Sequence, residues 1–154
     1  MPVVSRVLRK LRAVRHKSRL QLLWLAPAWV VLGLGRGAIL LLSFERLVRL
    51  LGLQSHVCPL TPLLEAGQRE TALDLGRTIL LASSYAPWRA NCFPQALCAI
   101  LLLRIYRIPH AVFLGLLREH PHGKIKAHAW VSAGAVTVTG GGNAQPYTIV
   151  GCFS

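Results

Sequence analysis

Acidic residues are scarce in this sequence. The 154 residues contain five Asp and Glu against 18 Lys and Arg, which gives a formal net charge of +13 with His neutral. The acids are Glu45, Glu65, Glu70, Asp74 and Glu119. So large a basic excess favours an anionic partner, which can be a nucleic acid, a membrane surface or an acidic peptide. Because no aromatic residues are interleaved with the basic residues of 1–19, we expect no nucleic acid.

Paired cysteines are also missing. The four cysteines, which are Cys58, Cys92, Cys98 and Cys152, include no CxxC pair. The basic start is not followed by a small-residue cleavage site, so we expect no secretory signal and a cytoplasmic chain with reduced thiols. The histidines lack the close spacing of zinc ligands, so we predict no metal and no cofactor.

The first third of the chain is basic and then apolar. Residues 1–19 hold seven Lys and Arg and no acid, with valines and leucines at helical intervals, which predicts a basic amphipathic helix. Residues 20–53 predict two core helices, 20–34 and 37–51, joined as a hairpin. The apolar run is long enough to span a membrane, but Pro27 and the glycines around Arg36 favour the hairpin.

The remainder of the chain changes from a helical to a strand pattern. Helices are predicted at Glu65–Ser83 and from Cys92 to Ile105. Strands are predicted at Ala111–Leu117, Ala127–Ser132, Ala135–Thr139 and Tyr147–Cys152, with turns at 118–124 and 140–143, while residues 52–68 read as a loop. Helices followed by a small antiparallel sheet indicate an α+β fold.

Cys92 and His128 are the candidate catalytic residues. Cys92 lies at the start of a predicted helix, where unpaired N–H groups and the helix dipole stabilise a thiolate and a developing oxyanion. His128 lies on a following strand, and a thiol with an imidazole base can attack an amide carbonyl. By residue type alone, a buried structural cysteine is the commoner case. Two other functions therefore stay open, a Cys–His acyl transferase and a non-enzymatic basic module that binds peptides or a membrane surface.

The combined pattern adds a resemblance. PWRANCFPQALCAILLLR, AHAWV, TGGG and PYTIVGCF, in this order and spacing, resemble the B proteins of lasso-peptide biosynthesis, specifically the stand-alone leader peptidase. That family is a branch of the transglutaminase-like (papain-like) superfamily. The resemblance implies an N-terminal helical region at 1–53 and, at 54–154, a core in which the nucleophile helix packs on a small antiparallel sheet.

The resemblance also implies an activity and its partners. Such proteins are cysteine proteases that remove the leader from a ribosomally made precursor peptide, with a separate leader-recognition protein and a lasso cyclase as partners. Carried over to this sequence, Cys92 matches the nucleophile and His128 the general base. The third member is Asn143, which lies closest to the expected place, or a backbone carbonyl of the turn at 140–142. Because neither carries a charge, we expect a slow enzyme, or one whose partners complete the site.

Overall fold

The computed structural model describes residues 18–50, 55–56, 63–118, 125–144 and 146–154. The helices in these ranges are α1 (Arg19–Leu41), α2 (Phe44–Leu50), α3 (Ala66–Ser84) and α4 (Cys92–Ile105). The strands are β1 (Ser55–His56), β2 (Ala111–Arg118), β3 (Ile125–Ala133), β4 (Val136–Thr139) and β5 (Thr148–Phe153), and a short 3-10 helix covers Gly141–Asn143.

The strands form one antiparallel sheet in the order β1-β5-β2-β3-β4. Alternate residues of β3 and β4, such as Val131 and Val138, join side chains of the helices in the main core. Leu75 of α3 and Leu103 of α4 are fully buried in that core. This arrangement of helices and a small antiparallel sheet confirms the predicted α+β class.

The prediction of two core helices at 20–34 and 37–51 is wrong. A single helix, α1, runs through Pro27 and the glycines, and it ends at Leu41, before the short α2. The helix survives Pro27 because its inner side packs against α3 and α4 through Ala28, Leu32 and Gly35, which are buried. Tertiary packing thus outweighs the lost backbone hydrogen bond.

The outer side of α1 carries exposed apolar side chains. Leu23 and Leu34 are exposed by 67% and 69%. An 18-residue window of α1 has a mean hydropathy of 1.6, and 17% of that window is buried, so α1 could cross a membrane by length and composition alone. A core helix of a soluble protein passes the same test. The hairpin argument against a membrane span does not hold, because α1 is continuous.

The other predicted elements agree closely with the structure. α3 begins after the capping residue Glu65, α4 has the predicted bounds, and the four predicted strands are β2 to β5. The loop predicted at 52–68 is partly wrong, because Ser55–His56 pairs with β5 as an edge strand. The basic helix predicted at 1–19 and the turn at 118–124 lie almost entirely outside the described residues.

Candidate active site

Cys92 is the first residue of α4, as the sequence predicts. Asn91 precedes it in an extended conformation, and the Asn91 carbonyl accepts the first helical hydrogen bond from the Gln95 N–H at 3.2 Å. The Gln95 side chain also donates Nε2–H to the Ala90 carbonyl at 2.8 Å, which ties the helix start to the preceding loop. Pro94 is buried in the first turn, where its missing N–H costs little. The Cys92 thiol is free and partly exposed.

His128 lies on β3, and its ring is held by the backbone of the turn that follows β4. Nε2 lies 2.8 Å from the carbonyl oxygen of Gly140. A carbonyl only accepts, so Nε2 carries a proton and, in the neutral ring, Nδ1 keeps the lone pair. The sequence left two acceptors for the ring open, the Asn143 side chain and a backbone carbonyl of the 140–142 turn. The structure shows a backbone carbonyl of that turn hydrogen-bonded to Nε2.

Gly140 fits this position for two physical reasons. Its φ of 77° is in the left-handed region, which favours glycine. A Cβ at Gly140 would also lie 2.6 Å from the carbonyl oxygen of Ala129 and 2.8 Å from the Cβ of Trp130. The turn can approach β3 this closely only without a side chain.

Two aromatic rings pack against the imidazole of His128. The Tyr147 ring centroid lies 4.9 Å away and the Trp130 centroid 5.8 Å away. Gly115, which faces His128 across β2 and β3, leaves room for both, because a Cβ there would lie 2.7 Å from Tyr147 and 2.9 Å from Trp130. The ring is thus fixed by packing as well as by its hydrogen bond.

An open cleft of about 670 Å³ brings the two candidate residues together. It lies at the β4 edge of the sheet, beside α3 and the start of α4. Its lining consists of Leu73, Gly76, Arg77, Leu80, Cys92, Gln95, His128, Thr137, Val138, Thr139 and Gly140–Gly142. Among the described residues, the hydrogen bond of the His128 ring goes to Gly140 rather than to Cys92. Catalytic hydrogen bonds are often loosely aligned before substrate binds, and they tighten in the complex.

Cys98, Cys152 and His110 do not join this site. Cys98 is fully buried, and burial raises the pKa of its thiol to about 12, so it is an inert core residue as predicted. Cys152 is also buried. Burial lowers the pKa of His110, whose Nδ1 lies 2.9 Å from the Ile108 carbonyl. Neither Cys152 nor His110 lines the cleft.

Some predicted residues lie outside the described part of the chain. They are Cys58, His120 and His122, together with the side chain of Asn143. The role predicted for Asn143 therefore stays a prediction, while Gly140 already provides the acceptor for Nε2 of His128. Among the described residues, no group of three His, Cys, Asp or Glu could hold a metal ion.

The cleft contains further polar residues that the sequence did not single out, among them Gln95, Arg77 and Thr139. Gln95 donates the hydrogen bond to Ala90 that stabilises the start of α4. Arg77 forms an ion pair with Asp74 at 3.3 Å, and its side chain is 67% exposed. Thr139 is 7% exposed, and its Oγ1 has no hydrogen-bond partner among the described residues. Nothing in the local sequence distinguishes these residues from ordinary helix and strand positions, because only the packing of α3 and α4 against β4 places them at one cleft.

Comparison with known proteins gives one family. The family model described as the transglutaminase-like superfamily matches residues 38–152, which is most of the chain and includes Cys92 and His128. No curated protein and no solved structure matches the chain. Cys–His enzymes are common in this superfamily, which includes cysteine proteases and acyltransferases. Because this match covers most of the chain, the chain belongs to the transglutaminase-like superfamily.

Proposed function

We propose that this protein is a cysteine peptidase that removes the leader from a ribosomally synthesised lasso-peptide precursor. The observation that carries the proposal is that Cys92, at the start of α4, lines the same cleft as His128, whose Nε2–H is held by Gly140. The superfamily match and the resemblance of the motifs around both residues support the same chemistry.

The reaction follows from the protonation state of His128. Nδ1 accepts the proton of the Cys92 thiol, and the thiolate attacks the scissile carbonyl to form a tetrahedral intermediate. The N–H groups at the start of α4 stabilise its oxyanion. The imidazolium then protonates the leaving amine, the C–N bond breaks, and water hydrolyses the thioester to release the leader with a free carboxylate and to restore the thiol.

Gly140 limits the rate of this chemistry. A carbonyl oxygen orients the imidazole but carries no full negative charge, so it stabilises the imidazolium less than a carboxylate does. The enzyme is therefore slow by itself and depends on accurate delivery of the peptide.

Delivery is the role that we assign to the partners. A leader-recognition protein holds the precursor and docks on the outer side of α1, where Leu23, Val30 and Leu34 are more than half exposed. The basic residues of 1–19 attract an acidic partner in a salt-dependent manner. Tethering raises the local concentration of the cleavage site at Cys92. The cyclase then uses the peptide from which the leader has been removed.

The direct test is a cleavage assay followed by mass spectrometry. The chain, with and without the recognition protein, is incubated with a lasso-type precursor peptide, and the released leader is measured. Cleavage at one position that is lost in Cys92→Ala supports the proposal. No cleavage in the presence of the recognition protein would contradict it.

The superfamily also includes acyltransferases, and the same assay separates this alternative. Acetyl-CoA with an arylamine acceptor replaces the precursor, and free CoA is measured. CoA release that depends on Cys92, without precursor cleavage, would identify an acyltransferase. If iodoacetamide at pH 6 to 7 labels Cys92 no faster than it labels the thiol of free glutathione, the chain is instead a peptide-binding or membrane-surface module.

A further inference from the structure

Helix α1 contacts the chain on both sides of the candidate nucleophile. Trp88, four residues before Cys92, packs its ring against Trp29 of α1 with centroids 4.5 Å apart. Pro94, two residues after Cys92, lies against Gly35 of α1, where a Cβ would be 3.6 Å from the Pro94 Cα. Cys92 therefore stands between two segments that rest on the same helix.

The contact at Trp88 depends on a missing side chain. A Cβ at Gly33 would lie 3.0 Å from Cζ2 and 3.2 Å from Cη2 of Trp88, so the indole ring occupies the space that a side chain would need. The Trp88 Nε1 is buried and has no hydrogen-bond partner among the described residues. Packing against α1, rather than a hydrogen bond through Nε1, thus sets the position of this ring.

The rest of α1 follows α4 towards its other end. Trp24 donates Nε1–H to the Tyr106 hydroxyl at 2.6 Å, just beyond the C-terminus of α4. The Ala28 carbonyl lies 3.9 Å from the Cys98 sulfur in the middle of α4. Helix α1 thus contacts α4 or its flanking residues at the C-terminal end, in the middle and at the N-terminal end of α4. None of the residues that line the cleft belongs to α1.

We propose that α1 is the element that positions the nucleophile, with Gly33 and Trp88 as the positioning residues. The proposal rests on the proposed role of Cys92. The family model begins at residue 38, so Trp29, Gly33 and Gly35 lie before the matched segment. Helix α1 contributes no residue to the cleft lining. It nevertheless determines the position of Cys92, because it fixes the loop that precedes this residue.

The test compares Gly33→Val with Gly37→Val in the full chain. Gly37 lies one helical turn further along α1, and a Cβ there would meet nothing within 4 Å, so it controls for the loss of glycine itself. The readout is the rate of iodoacetamide labelling of Cys92 across pH 5 to 9, followed by peptide mapping. Iodoacetamide reacts with the thiolate, which the N–H groups at the start of α4 and a nearby imidazolium stabilise. We expect displacement of Cys92 from these groups to lower labelling of the Gly33 variant at pH 7 by about tenfold, with Gly37→Val unchanged.

A compensating pair separates positioning from general destabilisation. Trp88→Phe removes the ring atoms closest to Gly33, so Gly33→Ala combined with Trp88→Phe should restore part of the labelling rate that Gly33→Ala loses. Protection of the buried Cys98 reports whether each variant is folded. Equal pH profiles for Gly33→Val and Gly37→Val, or no rescue by Trp88→Phe, would overturn the positioning role. If iodoacetamide labels Cys92 of the wild type no faster than it labels the thiol of free glutathione, the proposed function itself is contradicted.

Discussion

The Nε2 of His128 and the carbonyl oxygen of Gly140 lie 2.8 Å apart, within hydrogen-bond distance. The carbonyl fixes the tautomer in which Nδ1 keeps the lone pair. It also couples the imidazole to a turn that favours glycine, because φ at Gly140 is 77° and a Cβ there would lie 2.6 Å from the carbonyl oxygen of Ala129.

Cys92→Ala should abolish leader removal, because no other described cysteine combines a helix start with a place in the cleft. Cys98→Ala, Cys152→Ala and Cys58→Ala should keep most of the activity. The release of leader peptide, measured by mass spectrometry, decides the matter. Wild-type cleavage by Cys92→Ala would rule out the peptidase.

His128→Ala should lose several orders of magnitude in kcat/KM, since both proton transfers pass through the ring. His110→Ala should cost little, because His110 does not line the cleft. From the sequence, where both residues flank a proline in a predicted turn, we expect His120→Ala and His122→Ala to cost little as well. Inhibition by a chelator that zinc relieves would instead indicate a metal enzyme and would contradict this assignment.

Gly140→Ala should lower kcat by about tenfold or more, because a Cβ would collide with the Ala129 carbonyl and displace the acceptor of His128. Gly142→Ala is the matched variant in the same turn, since its Cβ would meet nothing within 4 Å, and it should have a much smaller effect. NMR of the His128 ring should show loss of the Nε2–H tautomer in the Gly140 variant alone. An unchanged tautomer would show that the carbonyl does not hold the ring.

His110 should make the fold less stable in acid. Burial is the main cause that lowers its pKa from the ordinary value of 6.5, with Arg104 adding to it and the Ile108 carbonyl opposing it. The unfolded chain therefore takes up this proton first, so the contribution to the free energy of unfolding falls as the pH drops below about 6.5. Above that pH both states are neutral at this residue and the contribution is constant.

The measurement is urea unfolding at pH 7.5 and pH 5.5 for the wild type and for His110→Phe, which keeps an aromatic ring without the titrating group. The wild type should lose more stability between the two pH values than the variant does. Equal losses would assign the acid sensitivity to other groups.

Changing the basic residues of 1–19 to Gln should reduce stimulation by the recognition protein and weaken its dependence on salt. Leu23→Ser with Leu34→Ser should reduce stimulation without changing the salt dependence, because both side chains belong to the exposed apolar side of α1. Binding is measured by titration at two salt concentrations. Full activity of the chain alone would show that recognition is not shared. Binding of the chain to anionic vesicles that depends on the same leucines would assign this surface to lipid instead.

The sequence by itself determined much of the fold and the two candidate catalytic residues, Cys92 and His128. Periodicity and local signals predict α4 with its observed bounds and place Cys92 at its start, because Asn91 and Pro94 are typical of a helix N-terminus. Alternation predicts the strands, including the one that carries His128. These features depend on neighbours in the sequence, so the sequence contains their signal.

Only the tertiary structure decided the rest, because the deciding contacts join residues far apart in the chain. Glycines near Gly33 predict a turn by local reasoning, yet α1 continues through them. Gly33 instead allows the close approach of the Trp88 ring, because a Cβ there would lie 3.0 Å from Cζ2. The acceptor for His128 is a main-chain oxygen. Every residue has such an oxygen, so no residue type in the sequence identifies this one. Long-range packing, rather than local propensity, fixes both.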